Sequence, residues 1–314
     1  MRILLVGEES TGMQLLKELD AITRPDGPHE IVGVLASPEL GADKAPSVWR
    51  LAETMGLRTW PAAWVKDADF AATLAAQEID VLLNVHSLHV IHEAVLATAR
   101  LGAFNLHPGP LPHYAGLNAP SWAIYNDETS HAVTLHKMVA GVDRGPVVYE
   151  ARFPIDEADS ALAVYVKCRK LGIPLILRLL EQLEADPESL PLIEQDAAGR
   201  RFYYGGEVPD DGRLSWSQPA QRIVNLVRAC DFYPFVSPWG VPTARLDGRE
   251  IGILKASRTG RAADAPPGTV TDGEAQSMSI AGEDEAIQVG LINVDGKVMP
   301  ARKLLQLGQR LEAG

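Results

Sequence analysis

Asn105, His107 and Asp143 are the residues in this 314-residue sequence whose types best suit acyl or proton transfer. A side-chain amide can donate to a developing oxyanion, and an imidazole with a pKa near 6.5 can stabilise an anion or move protons. A carboxylate beside the imidazole can orient it and raise its pKa. Asp143 follows the other two after about forty positions and lies between two glycines. Three polar residues at this spacing do not define a site, so a structural role for His107 remains open.

Three histidines at intervals of three residues, His86, His89 and His92, raise the question of a metal site. Histidines with this spacing can share one face of a helix and bind a metal ion. This segment, however, directly follows an apolar strand, and its first carboxylate is Glu93. We therefore expect no metal, and predict a loop that lines a pocket at the end of the strand.

The elements that must hold these residues form an alternating series of apolar strands and helices. Strands are predicted at RILLVG, EIVGVLAS, DVLLNV and AFNLHP, with helices between them. This alternation predicts an α/β fold with a doubly wound parallel sheet, which binds ligands at the carboxyl ends of its strands. Asn105 and His107 lie at one such end. Pro108, Pro110 and Pro112 restrict the loop that follows, as expected if the two side chains must be held still.

The second half of the chain predicts a smaller domain. Residues 132–155 have the pattern of a β-hairpin, and a long helix is expected over about 158–184. A polar, proline-rich stretch then indicates a linker at 191–204, which places an N-terminal domain at 1–190 and a C-terminal domain at 205–314. Short strands broken by Gly and Asp-Gly turns predict a small, OB-like β-barrel for the C-terminal domain.

Composition excludes several classes of protein. The net charge of −12 argues against a protein that coats nucleic acid, since phosphate binding needs clustered Lys and Arg. Cys168 and Cys230 are far apart and lack a Cys-x-x-Cys pattern, which disfavours a disulfide framework or a structural zinc site. The sequence starts without the features of a signal peptide, and no apolar run approaches the roughly 18 residues of a membrane span. We expect a cytoplasmic protein with no membrane partner.

Residues 104–155 resemble the core signature of the 10-formyltetrahydrofolate-dependent formyltransferases. The matches, in order, are Asn-x-His-Pro from Asn105, a Leu-Pro and a Gly, an apolar helix, Thr-x-His from Thr134, and Asp-x-Gly from Asp143. The stretch DDGRLSWSQPAQRIVNLVRACDFYP is similar to the start of the second domain of methionyl-tRNA and sugar-nucleotide amine formyltransferases. The resemblance spans most of the chain. It implies an N-formyltransferase that uses 10-formyltetrahydrofolate as co-substrate.

By this resemblance Asn105, His107 and Asp143 are the catalytic residues. Asn105 and a protonated His107 would stabilise the oxyanion, while Asp143 would orient His107 and help to move the amine proton. The pterin of the folate would be held by the backbone of two loops. Their residues are Ser87, Leu88, His89, Val90, Ile91, His92, Val139, Ala140, Gly141 and Val142. This assignment gives the histidine-rich segment a role without a metal.

The acceptor is less well defined, because the sequence departs from the usual family pattern after His107. Gly109 and Pro110 replace the usual Ser and Leu, and the basic residues common after them are absent. GPLPHYAGLNAPSWAI resembles more closely the formylation domains of nonribosomal peptide synthetases, in which an aminoacyl group is formylated. We expect a small-molecule amine: an amino sugar on a nucleotide, an amino acid or a carrier-bound aminoacyl group. Its expected contacts are Tyr114, Asn118 and Trp122, although Trp122 could equally belong to the core.

Other functions stay open. Methionyl-tRNA is disfavoured as acceptor because the chain from Gly205 carries about 12 Lys and Arg against about 14 Asp and Glu, whereas a domain that grips tRNA gains from basic charge. A 10-formyltetrahydrofolate hydrolase would use the same three residues with water as acceptor. An inactive folate-binding protein would bind folate without turnover, and the intact trio argues against it. A homodimer also stays open.

Overall fold

Two compact units make up the chain, for which the computed structural model describes residues 1–23, 27–38 and 46–314. Unit 1 comprises Met1–Gly116, Ala132–Arg152 and Cys168–Phe202, and unit 2 comprises Leu117–His131, Phe153–Lys167 and Tyr203–Gly314. Most of the segment 191–204, predicted as a linker, therefore belongs to unit 1. The two units alternate along the chain, and the domain bounds 1–190 and 205–314 stay a prediction.

Unit 1 is built on a seven-stranded sheet with the order β3-β2-β1-β4-β5-β7-β8. Its strands β1 to β5 are parallel, and β7 runs antiparallel to β5. This confirms the predicted doubly wound sheet. The strands of the first half are β1 (Arg2–Gly7), β2 (Glu30–Ala36), β3 (Thr59–Pro61), β4 (Val81–Val85), β5 (Gly102–His107), β6 (Ala115–Gly116), β7 (Ser130–Lys137) and β8 (Val147–Pro154).

Burial on both faces explains why the central strands are almost continuously apolar. All five residues of β4 are buried, and Ile3, Leu4, Leu5 and Val6 of β1 are fully covered. A parallel sheet covered by helices on both faces requires such runs. A polar side chain within one of them, such as Asn84 in β4, is therefore conspicuous.

The helices follow the predicted alternation, although several are short. The predicted long helix over about 158–184 is confirmed, with one proline inside it. Ser47 caps the second helix by accepting a hydrogen bond from the Arg50 N–H, as Ser commonly does. The helices are α1 (Glu9–Ile22), α2 (Val48–Thr54), α3 (Phe70–Ala75), α4 (Glu93–Leu96), α5 (Ala119–Tyr125), α6 (Ala161–Ala185) and α7 (Ala220–Cys230). None in the described part of the chain has the length and apolar character of a membrane span.

Unit 2 contains a second seven-stranded sheet, which is antiparallel, with the order β12-β13-β14-β11-β10-β16 and β15 beside β14. The Asp247-Gly248 and Asp295-Gly296 pairs have positive φ at both residues, as tight hairpin turns require. The remaining strands are β9 (Phe202–Tyr203), β10 (Thr243–Leu246), β11 (Arg249–Ala262), β12 (Val270–Gly273), β13 (Met278–Ala281), β14 (Glu285–Val294), β15 (Lys297–Pro300) and β16 (Glu312–Ala313).

The end of the chain closes this sheet. The Val270 N–H donates to the Gln309 carbonyl at 2.9 Å and the Leu311 N–H to the Gly268 carbonyl at 2.9 Å, while Ala313 pairs with Ala244 of β10. One extended segment thus joins the first and last strands in the order. This closure confirms the predicted barrel-like C-terminal domain.

Candidate active site

Three polar side chains from neighbouring strands of unit 1 form one hydrogen-bonded row. Asn105 in β5 is in register with Asn84 in β4 and with His136 in β7. The Asn84 Nδ2–H donates to Asn105 Oδ1 at 2.8 Å, and the Asn105 Nδ2–H donates to His136 Nε2 at 3.0 Å. The amide of Asn105 is thereby oriented with its oxygen toward β4 and its nitrogen toward β7.

His107, at the end of β5, is buried and held from both ring nitrogens. Its Nε2 lies 2.6 Å from the Tyr114 carbonyl oxygen. A carbonyl only accepts hydrogen bonds, so Nε2 carries the proton and donates it. The other nitrogen, Nδ1, lies 3.5 Å from Asp143 Oδ2. The Tyr114 carbonyl therefore keeps a proton on Nε2, and any second proton of the ring would sit on Nδ1, which faces the Asp143 carboxylate.

Asp143, the third predicted catalytic residue, lies beside Asn105 and His107. It lies in the turn between β7 and β8 with φ +50°. The Gly116 N–H donates to its Oδ2 at 2.8 Å, while His136 Nε2 and Asn105 Nδ2 both lie 3.4 Å from its Oδ1. All three predicted catalytic residues are thus in one cluster.

Burial and neighbouring charges shift the pKa values of the two ionisable groups in this cluster, His107 and Asp143. Burial lowers the pKa of His107 below its ordinary value of 6.5, because the upward effects of Asp143 and the Tyr114 carbonyl are smaller. Burial alone would raise the pKa of Asp143, but His107, His136 and the Gly116 N–H outweigh it, so that pKa lies well below its ordinary value. Burial thus favours the neutral imidazole, whereas the two acceptors that face its ring nitrogens, the Tyr114 carbonyl and the Asp143 carboxylate, favour the protonated ring. The expectation that a protonated His107 stabilises the oxyanion stays a prediction.

Asn84 and His136 are site residues that were not picked out as such from the sequence. His136 stands in the Thr-x-His motif that carried part of the resemblance, and its Nδ1–H donates to the Lys137 carbonyl at 3.1 Å. Asn84 is 7% exposed, and its Oδ1 has no hydrogen-bond partner among the described residues. The signal for Asn84 is a single amide inside the run DVLLNV, since a buried polar group is rarely placed without a partner or a purpose.

The proline-rich loop after β5 is tied to β7 through Thr134, the first residue of the Thr-x-His motif. The Thr134 hydroxyl donates to the Gly109 carbonyl at 2.7 Å and accepts from the Leu111 N–H at 3.5 Å. The Tyr114 N–H donates to the Pro110 carbonyl at 3.0 Å. These bonds place the Tyr114 carbonyl against His107, which is how the loop holds the imidazole.

The two segments predicted to hold the pterin present apolar side chains to solvent. Leu88 is 75% exposed, Val90 64%, Val139 42% and Val142 39%. Leu88 and Val90 follow the carboxyl end of β4, while Val139 and Val142 follow β7, which is antiparallel and ends beside the start of β5. Grouped exposed apolar side chains of this kind are typical of a ligand site. A cavity of about 330 Å³ reaches Val139 and Ala140, but none of the catalytic trio lines it.

Two histidines of the segment His86–His92 make contacts with nearby protein groups. His92 Nδ1 accepts a hydrogen bond from the Ala94 N–H at 3.1 Å and so caps α4, and His86 Nδ1 lies 3.6 Å from Glu9 Oε2. Among the described residues no group of three or more His, Cys, Asp or Glu side chains could hold a metal ion.

The predicted acceptor contacts are only partly supported. Trp122 is 7% exposed and packs in unit 2 against Tyr203 and Trp239, with ring centroids 4.7 and 4.8 Å away, so it is a core residue. Tyr114 is equally buried and contributes its carbonyl to His107. The side chains of Tyr114 and Trp122 are therefore unsuited to the predicted acceptor contact, because packing against other residues covers the aromatic surface that an acceptor would touch. Asn118 keeps a half-exposed side chain that makes no helix-cap bond.

Two family models match the chain. Residues 1–180 match the formyl transferase model, and residues 208–307 match the model of the formyl transferase C-terminal domain. Among curated proteins, the methionyl-tRNA formyltransferase of Pseudomonas putida is 28% identical over 302 residues, which is 94% of this chain and 92% of that protein.

Solved structures share the fold. The N-formyltransferase from Helicobacter canadensis, in complex with folinic acid and dTDP-3-aminofucose, has a TM-score of 0.67 at 17% identity, over 92% of this chain and 98% of that one. HypX from Aquifex aeolicus, in complex with tetrahydrofolic acid, has a TM-score of 0.67 at 19% identity, over 97% of this chain and 47% of that one. At these identities the likeness concerns the fold alone.

Proposed function

Since this chain belongs to the formyl transferase family, we propose that it moves a formyl group from 10-formyltetrahydrofolate to a primary amine of a small-molecule acceptor. The cluster of Asn105 with the buried side chains of His107 and Asp143 is the observation that carries the proposal. It combines an amide donor, an imidazole and a carboxylate, which are the groups that an amine-to-acyl transfer needs.

The described residues fit a folate as co-substrate. The loop after β4 and the turn after β7 expose Leu88, Val90, Val139 and Val142, which suit the flat faces of a pterin. Their backbone groups provide donors and acceptors for its polar edge. Folate derivatives are bound in solved structures of the same fold, which supports this assignment.

In the proposed reaction, the acceptor amine attacks the formyl carbon and negative charge develops on the formyl oxygen. One Nδ2–H of Asn105 is bonded to His136 Nε2, and the other lies 3.4 Å from Asp143 Oδ1. This second N–H gives up its long contact with Asp143 and donates to the formyl oxygen in the proposed reaction. Neutral His107 takes up the proton that the amine loses at Nδ1, where Asp143 stabilises the resulting cation. The bond between the formyl carbon and N10 then breaks, and the proton passes to N10.

A small acceptor is favoured over tRNA by charge. From Gly205 onward Asp and Glu slightly outnumber Lys and Arg, and the whole chain carries −12. A tRNA-binding domain gains affinity through phosphate contacts, which such a surface supplies poorly. Charged initiator tRNA is the second candidate, because a methionyl-tRNA formyltransferase is 28% identical over nearly the whole chain.

An acceptor screen tests the proposal. Purified protein is mixed with 10-formyltetrahydrofolate and single amines, covering amino sugar nucleotides, amino acids, an aminoacylated carrier and methionyl-tRNA, and loss of the formyl group is followed by absorbance. We expect one class of small amine to be formylated. Formate release without any amine at the same rate would instead identify a hydrolase, and folate binding without turnover would identify an inactive folate-binding protein.

A further inference from the structure

The segment between α6 and β9 grips the turn that carries Asp143. The Arg200 Nη1–H donates to the Asp143 carbonyl at 2.9 Å, and its Nη2–H donates to the Val142 carbonyl at 2.7 Å. The Gln195 Nε2 donates to the Asp143 carbonyl at 3.1 Å and to the Gly145 carbonyl at 2.6 Å. Two side chains thus make four hydrogen bonds to three carbonyls of one turn. We call residues 193–201 the bracing segment.

Backbone contacts fasten the bracing segment at both ends. Ile193 and Val147 exchange two backbone hydrogen bonds of 2.9 and 2.8 Å. At the other end the Ala115 N–H donates to the Arg201 carbonyl at 3.1 Å. The next residue, Gly116, donates its N–H to Asp143 Oδ2. The segment is therefore connected both to the main chain of Asp143 and, through β6, to its carboxylate.

The turn needs such support because two of its residues have a positive φ, and one of them, Asp143, is not a glycine. Asp143 has φ +50°, and Gly141 has φ +101°. The left-handed region costs a non-glycine residue roughly 1–2 kcal/mol and persists where the surroundings hold it. Asp143 must nevertheless keep its carboxylate 3.5 Å from His107 Nδ1. A displacement of about 1 Å at a reacting group can cost on the order of 10² in rate.

The chemistry of the two side chains suits this task. The guanidinium is planar and presents paired donors, so it can bind two adjacent carbonyls, whereas a lysine ammonium is a single point charge. Both partners of Gln195 Nε2 are carbonyl oxygens, which fixes the orientation of its amide. Both side chains bond only to backbone carbonyls of the turn, and neither forms a hydrogen bond to the Asp143 carboxylate or the His107 imidazole. Their positioning effect therefore passes through the backbone, with a charge interaction between Arg200 and Asp143 in addition.

We propose that Arg200 and Gln195 are positioning residues, which hold the Asp143 turn so that its carboxylate stays against His107. The proposal rests on the proposed catalytic role of Asp143. Replacing Arg200 by Gln or Gln195 by Leu then lowers kcat by about 10- to 100-fold. The KM for 10-formyltetrahydrofolate rises by a smaller factor, because Arg200 also binds the carbonyl of Val142 in the proposed pterin loop. Arg200→Lys restores part of the turnover, since one carbonyl can still be bound.

The experiment combines kinetics with hydrogen exchange of the full-length protein. Mass spectrometry of a peptide covering residues 138–147 reports the turn independently of activity. We expect several-fold faster exchange there in Arg200→Gln and Gln195→Leu, with other peptides unchanged. The matched control is Arg152→Gln, which removes a guanidinium from an exposed ion pair with Glu150 in the same unit.

Unchanged kcat, or lowered kcat with unchanged exchange in the turn, overturns the proposal. A rise in KM alone also overturns it, because the segment would then serve binding instead of positioning. Faster exchange with the expected fall in kcat supports it. Failure of the proposed function is recognised separately, since His107→Asn would then keep its activity whatever the bracing segment does.

Discussion

At the scale of single residues, formyl transfer depends most on the imidazole of His107. His107→Asn keeps a polar side chain but removes the group that takes up the amine proton, so kcat should fall by about 10²–10³, as for the loss of one catalytic hydrogen-bonding group. Folate affinity should change little. Loss of the formyl group, followed by absorbance with the true acceptor, measures the effect. His29→Asn, at the amino end of β2, is the control. Near-normal turnover of His107→Asn would contradict the mechanism.

The titration of His107 is a second residue-scale prediction. Burial lowers its pKa, so its ring should titrate below 6.5 in NMR spectra assigned with His107→Asn. Because Asp143 opposes that shift, Asp143→Asn should lower the pKa further. On acidification the unfolded chain, with a pKa near 6.5, binds the proton first, so this site destabilises the fold as pH falls below about 6.5. A ring that titrates above 6.5 would favour a protonated resting histidine.

At the scale of elements, the turn between β7 and β8 is the most constrained connection of the site. A Cβ on Gly145 would lie 1.7 Å from the Lys137 carbonyl oxygen, so Gly145→Ala must displace backbone. We expect a loss of about 1–3 kcal/mol in the free energy of unfolding, and a fall in kcat because Asp143 is two residues away. Urea unfolding and turnover measure the two effects.

Gly206→Ala is the matched control for this turn, since a Cβ there meets no atom within 4 Å and the glycine lacks a positive φ. It should leave stability within about 0.5 kcal/mol of the parent. Equal stability of Gly145→Ala and Gly206→Ala would show that the turn can relax, and would remove the steric argument.

At the scale of the whole molecule, charge decides between the two classes of acceptor. With a net charge of −12 and no basic excess after Gly205, turnover should change less than tenfold between about 50 and 200 mM salt. A protein that makes 6–10 phosphate contacts would lose about 10³–10⁵ in affinity over that range. Steady-state rates at several salt concentrations test this. A steep salt dependence together with formylation of charged initiator tRNA would overturn the small-acceptor assignment.

The alternating strands and helices and the barrel-like second domain were predictable from the amino-acid sequence alone. They follow from local patterns, namely apolar strands that alternate with helices and Asp-Gly turns. The three residues of the proposed catalytic cluster came instead from the resemblance of the Asn-x-His-Pro and Asp-x-Gly motifs to those of a known family. Such patterns act over a few residues. They could indicate that Asn105 and His107 lie at the end of a strand.

Which distant groups meet at this strand end depends on the tertiary structure. Strand order and register, which depend on non-local pairing, place Asn84 and His136 on either side of Asn105. Chain return after α6 brings Arg200 to the Asp143 turn, where the sequence suggested a linker. Burial depends on the surrounding elements. It lowers the pKa of His107, and it places Trp122, predicted as an acceptor contact, in the core of unit 2. Each of these results depends on groups far apart in the chain, which is why no local pattern could predict it.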